Sequence, residues 1–150
     1  MHAGLATPIS PQTGRRTSSK RGPTSRRGAW RTKLLRIVNL TRGTVVADKA
    51  EIADTGAKAR TGLLKHAGLA PGEGLWIAPC EAIHTFGMRF PIDVVFLSRK
   101  KTVVKVRSNL AKGQMCASLR AYSVLELPAG RLSETGTRCG DQLEFAKYHL

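Results

Sequence analysis

Four polar residues stand in otherwise apolar company and are the first candidates for chemistry. His84, Arg89 and Asp93 fall within IHTFGMRFPIDVVFL, residues 83 to 97, and Glu126 is flanked by Leu125 and Leu127. An imidazole titrates near neutrality and a carboxylate on one nitrogen fixes its tautomer, so His84 with Asp93 or Glu126 could act as a general acid and base. That is a hydrolase-like arrangement, although no Ser or Thr lies in a recognisable nucleophile motif. The plainer alternative is a core histidine satisfied by backbone or by the same carboxylate, as buried polar groups generally are.

A second chemistry is binding. Trp76, Phe86, Met88 and Phe90 could wall a pocket with Arg60, Arg89 and Asp93 as polar anchors, since ligand sites combine apolar walls with a few placed polar groups. The alternative is that these side chains are simply core. A buried carboxylate at Glu126 would need a donor, which Arg60, Arg89 or His84 could supply. The leading expectation is a non-enzymatic domain that takes a ligand or protein partner in a cleft near His84, Asp93, Trp76 and Glu126. Its binding residues would be Arg60, Trp76, His84, Met88, Arg89, Asp93 and Glu126, with no catalytic residue assigned. An acid and base enzyme is the second reading.

Cys80 and His84 are four residues apart and could seed a zinc site with Cys116 or Cys139. The ligands would have to come from separated segments with no CxxC, and free cysteines commonly behave as small apolar residues. No metal and no cofactor is expected. Pro79 and Glu81 beside Cys80 give no sign of a lowered thiol pKa, which argues against a nucleophile there.

These residues must be positioned by strands. LLRIVNL and TVVA, residues 34 to 40 and 44 to 47, read as two strands joined by a tight turn at Thr41, Arg42 and Gly43. Asp54 or Thr55 can cap a short helix over about 55 to 67, ending at Gly68. Apolar runs follow at 75 to 79, 83 to 97, 102 to 107, 122 to 127 and 141 to 146. Short strands at this cadence, with one helical segment, predict a mostly β fold, an antiparallel sandwich or barrel. Pro91 cannot donate to a sheet ladder, so the long run should break into about 83 to 89 and 92 to 97. The second piece is apolar apart from Asp93, as expected of a strand buried on both sides.

Composition bounds the rest. The chain has 150 residues, 41% of them hydrophobic, and 25 Lys and Arg against 10 Asp and Glu, a formal +15. Ten of those bases and none of the acids fall in residues 1 to 47, leaving +5 for residues 48 to 150. Residues 1 to 30 mix Pro, Gly, Ser and Thr with this charge and are expected to be a disordered basic tail, followed by a single β-rich domain over 31 to 150. Arg99, Lys100, Lys101, Lys105 and Arg107 suggest a basic hairpin, with Lys105 and Arg107 on one face. Tail and hairpin together make non-specific nucleic-acid binding a third reading. No run approaches the length of a transmembrane segment and no secretory signal is visible, so a cytoplasmic protein is expected. Three unpaired cysteines agree with a reducing compartment.

The chain also resembles a widespread bacterial and archaeal family named only as domain of unknown function 192. The resemblance is carried by ARTGLL at 59 to 64, GLWIAP at 74 to 79, HTFGMRFPIDVVFL at 84 to 97, VLELPAG at 124 to 130 and GDQLEF at 140 to 145. It implies a compact, mostly β domain and no transferable activity or cofactor. Matching signature positions are Arg60, Gly62, Leu63, Trp76, His84, Met88, Pro91, Asp93, Glu126, Gly130, Gly140 and Asp141. Members often turn on an Asp and Gly after the VVFL-type strand, where this chain has the basic Ser98, Arg99, Lys100 and Lys101. Many members follow an export signal or lipid anchor, of which this sequence shows neither.

Overall fold

The structure, a computed structural model, describes residues 33–53, 63 and 67–148. Most of the expected helix over 55 to 67, Arg60 within it, and the expected tail over 1 to 30 lie outside the described residues. Nine strands are described: β1 Leu34–Asn39, β2 Thr44–Ala53, β3 Glu73–Ile77, β4 Ala82–His84, β5 Ile92–Leu97, β6 Val103–Leu110, β7 Met115–Ala117, β8 Ser123–Pro128 and β9 Leu143–Lys147. One short helix is described, α1 Arg131–Thr135, between β8 and β9. None of the described helices is long and apolar enough to cross a membrane.

Seven strands form one sheet in the order β6-β5-β8-β3-β2-β1-β9, antiparallel except for the parallel pair β2 and β3. The β1–β2 turn closes as the sequence predicts, with Gly43 in the left-handed region at φ +68° and its amide on the Asn39 carbonyl. The edge strands β6 and β9 then approach one another at their beginnings. Thr102 bridges Gln142, the Val103 amide donates to the Asp141 carbonyl at 2.8 Å, and the Leu143 amide donates to the Lys101 carbonyl at 3.0 Å. The two edges of a seven-stranded sheet can meet only if the sheet curls, so the fold is a half-barrel, mostly β as expected.

Side chains alternate along each strand and laterally paired residues share a face. Val95 and Leu97 on β5, Leu125 and Leu127 on β8, Ala50 on β2, Ile37 on β1 and Leu143 on β9 gather into the inner core. Ile92, Val94 and Phe96, Val124, Leu75, Ile77 and Ala53 form an outer core. The outer core is covered by the two-stranded sheet β4–β7 through Ile83 and Cys116, together with Leu63 and Met88. All six residues of β5 are buried because each face of this strand meets a core. Chain direction breaks at Pro91 as expected, although the first piece is the three-residue β4 rather than a strand over 83 to 89.

Asp141 ties the closed end together. Its carboxylate accepts from Asn39 Nδ2 at 2.8 Å, from Arg42 Nε and Nη2 at 3.1 Å each, and from the Arg138 amide at 3.1 Å. Burial alone would raise its pKa, but the Arg42 and Asn39 hydrogen bonds and the Arg138 amide overcome this and hold it at about 2, against the usual 3.8. A depressed carboxylate contributes stability that is present above its unfolded pKa and lost as pH falls through the folded one. Acid unfolding should therefore steepen between about pH 4 and pH 2. Asp141→Asn should cost about 2 kcal/mol at pH 7 and flatten that limb, measured by urea unfolding across pH; an unchanged acid limb would contradict the clasp.

Candidate functional site

Register decides which candidate residues can meet. Glu126 on β8 pairs with Leu75 on β3 and Val94 on β5, which places it on the outer face. Trp76 pairs with Leu125, and Asp93 pairs with Leu127, which places both on the inner face. The sheet itself therefore separates Trp76 and Asp93 from Glu126, and the expected cleft that joined them is not formed. Surface hollows of about 310 Å³ and 410 Å³ lie elsewhere, and neither is lined by Trp76, His84, Asp93 or Glu126.

Each candidate has its own surroundings. Asp93 is buried; its Oδ1 accepts from the Asn109 amide and its Oδ2 from the Leu132 amide, both at 2.8 Å. Asn109 lies in the irregular end of β6 with φ +49°, and Leu132 is the second residue of α1, so Asp93 satisfies two amides that regular pairing leaves free. Trp76 packs edge-on against Phe145, centroids 5.2 Å apart, with the Lys101 ammonium 4.4 Å from its ring centroid. The basic loop is thus partly engaged by aromatic faces: Arg99 also lies 4.1 Å over the Tyr122 ring. Met88 is buried in the outer core, Arg89 is exposed, and Arg60 lies outside the described residues.

His84 is exposed and stacks on Phe86 at 5.3 Å and 25°. It shares no hydrogen bond with Asp93, whose oxygens hold amides, or with Glu126, whose Oε2 is buried without a partner among the described residues. The acid and base pair foreseen from the sequence is not assembled. Burial likewise raises the Cys80 thiol, whose Sγ donates to the Ala82 carbonyl at 3.2 Å, which makes it a poorer nucleophile. Among the described residues, no group of three or more His, Cys, Asp or Glu is placed to hold a metal ion.

What the fold does gather is a surface. In the β4–β7 sheet His84 pairs with Met115 and Ala82 with Ala117, all exposed, while Ile83 and Cys116 face the outer core. The Met88 amide closes a turn onto the Thr85 carbonyl at 3.1 Å, and Gly87 at φ +81° lets the chain reverse there. This turn sends Met88 inward and leaves Phe86 in solvent beside His84. Thr85 is buried beneath it and locks the facing loop, donating to the Ala111 carbonyl at 2.6 Å and accepting the Gln114 amide at 2.9 Å. Phe86 in the turn after β4 is 50% exposed, Met115 on β7 71% and Leu119 in the turn after β7 88%, high values for large apolar side chains. Met115 and Leu119 were not singled out from the sequence. β7 has only three residues, and its one signal is Cys116 alternating with flanking exposed positions.

Glu126 remains a buried carboxylate pushed up to about 7 by burial, from the usual 4.5. The folded state keeps this proton over a range where the unfolded chain has released it. Stability is therefore fully present below about pH 4.5 and falls as pH rises through about 7, a loss on the order of 3 kcal/mol. Glu126→Leu should abolish that slope and stabilise the protein at pH 8, read by urea unfolding at pH 5 and 8. An equal slope in the variant would place the titration elsewhere.

Comparison with known proteins agrees with this architecture. A structure of a provisionally assigned transcription regulator from Sinorhizobium meliloti aligns with a TM-score of 0.66 at 23% identity, over 76% of this chain and 93% of that one. A protein of unknown function from Novosphingobium aromaticivorans aligns with a TM-score of 0.64 at 20% identity, over 74% and 83%. At these identities the likeness is one of fold. No curated protein matches. The family model described as "Uncharacterized ACR" matches residues 37–145, from β1 to β9, and the chain belongs to that family, domain of unknown function 192.

Proposed function

We propose that this domain works by binding, and that its contact surface is the solvent face of the β4–β7 sheet rather than a cleft between the sheet's polar residues. The observation that carries this reading is the exposure of Met115 on β7 and of Phe86 and Leu119 in the turns that follow β4 and β7, on a small sheet whose reverse side is packed into the outer core. Scattered exposed apolar residues need no explanation, whereas several carried by one small sheet and its two turns point to a contact surface. The backing is rigid. Thr85 pins the Phe86 turn to the loop after β6, and Ser118 donates to the Glu81 carbonyl to hold the turn after β7. A rigid platform loses little conformational freedom on binding, which favours affinity. His84 keeps a place in the site as a stacking surface beside Phe86, and Met88 supports the turn from beneath.

A photoreactive benzophenone side chain placed at position 86 in growing cells should yield a discrete adduct. The same group at exposed Arg36, on β1, should not. Equal yields at both positions, or none at 86, would defeat the proposal.

A further inference from the structure

We infer that the occupant of this face is single-stranded nucleic acid, an inference that rests on the binding role proposed for the β4–β7 sheet. The first ground is the pairing of flat rings with exposure. His84 and Phe86 lie nearly parallel at 25°, and the Met115 side chain stands across from His84 on the neighbouring strand. Such a surface accepts the faces of unpaired bases, which every base presents and which a duplex hides.

The second ground is charge. Lys105 reaches the edge of β7, its Nζ donating to the Ala117 carbonyl at 2.7 Å, and Arg107 lies two residues along on the same face of β6. Lys112 is carried on the loop fastened to Thr85, and Arg89 follows the Phe86 turn. Arg120 lies in the turn that begins where Ser118 bonds Glu81, and both Arg120 and Lys112 are exposed. Five cations are thus carried by the sheet's neighbouring strand and by the turns and loops that adjoin it, against Glu81 just before β4. A cationic rim repels basic segments and attracts a polyanion, while the rings between the cations supply stacking that a phosphate alone would not use. An acidic protein segment would satisfy the rim but leave the paired rings without a planar partner.

The test uses the full chain labelled with carbon-13 at the methyl groups of its three methionines. An oligothymidylate of about eight nucleotides, within the site sizes single-strand binders use, should shift the Met115 methyl saturably and leave the Met88 methyl in place. Phe86→Ala, at an exposed turn position, should weaken binding about tenfold by fluorescence anisotropy. A duplex of equal length should compete poorly. If the oligonucleotide binds but the Met115 methyl stays fixed and Phe86→Ala changes nothing, the attraction is one of overall charge and the inference is overturned. Should Met115 respond to an acidic peptide or to rising protein concentration, and not to the oligonucleotide, the inference falls while the binding face stands. If Met115 responds to none of these and position 86 gives no adduct, both fall.

Discussion

The fold rests on a sheet that must bury both of its faces. Curling until β6 and β9 meet encloses the inner face in its own concavity. The outer face of β3, β5 and β8 is as apolar as the inner one and needs a separate cover, supplied in part by β4 and β7. Everything else follows from that division. Burying a Val, Leu, Ile or Phe side chain is worth about 1.5 to 3 kcal/mol, so the apolar positions of β5 fix which neighbours lie on each side. The polar residues take whatever face their parity assigns and are then satisfied locally, as with Asp93, or, as with Glu126 Oε2, find no partner among the described residues.

That division also explains the character of the candidate surface. A cover for the outer core needs only one apolar face, and Ile83 and Cys116 provide it. The reverse face of the same two short strands would ordinarily be polar. Here it carries Ala82, Ala117 and Met115, with His84 laid against Phe86. Folding places no demand on these residues that polar ones could not meet, which is why they point to contact with something else.

Much of the fold was legible from local pattern. The β1–β2 hairpin, the break at Pro91 and the two-sided burial of β5 each follow from a short stretch read by itself. The family resemblance, resting on motifs spread from residue 59 to residue 145, agreed with the same architecture. The site was less legible because its composition depends on register between strands distant in sequence. Trp76 and Glu126 lie on adjacent strands, and an offset of one residue in their pairing separates facing neighbours from opposite sides of a sheet. The helix α1 escaped notice for a similar reason: its five residues carry little signal of their own, and its Leu132 amide is met by Asp93, thirty-nine positions earlier. Lys101, read from the sequence only as part of a basic hairpin, covers the Trp76 ring.

Hydroxyl-radical footprinting of the intact protein tests the two-faced sheet and its exposed cover most directly, because the key positions carry oxidisable side chains in contrasting settings. Met115 and Phe86 should be modified many times faster than Met88 and Phe96, which lie in the outer core. Comparable rates for Met115 and Met88 would mean that the β4–β7 sheet does not present one face outward and the other to the core, and the account would fail with it.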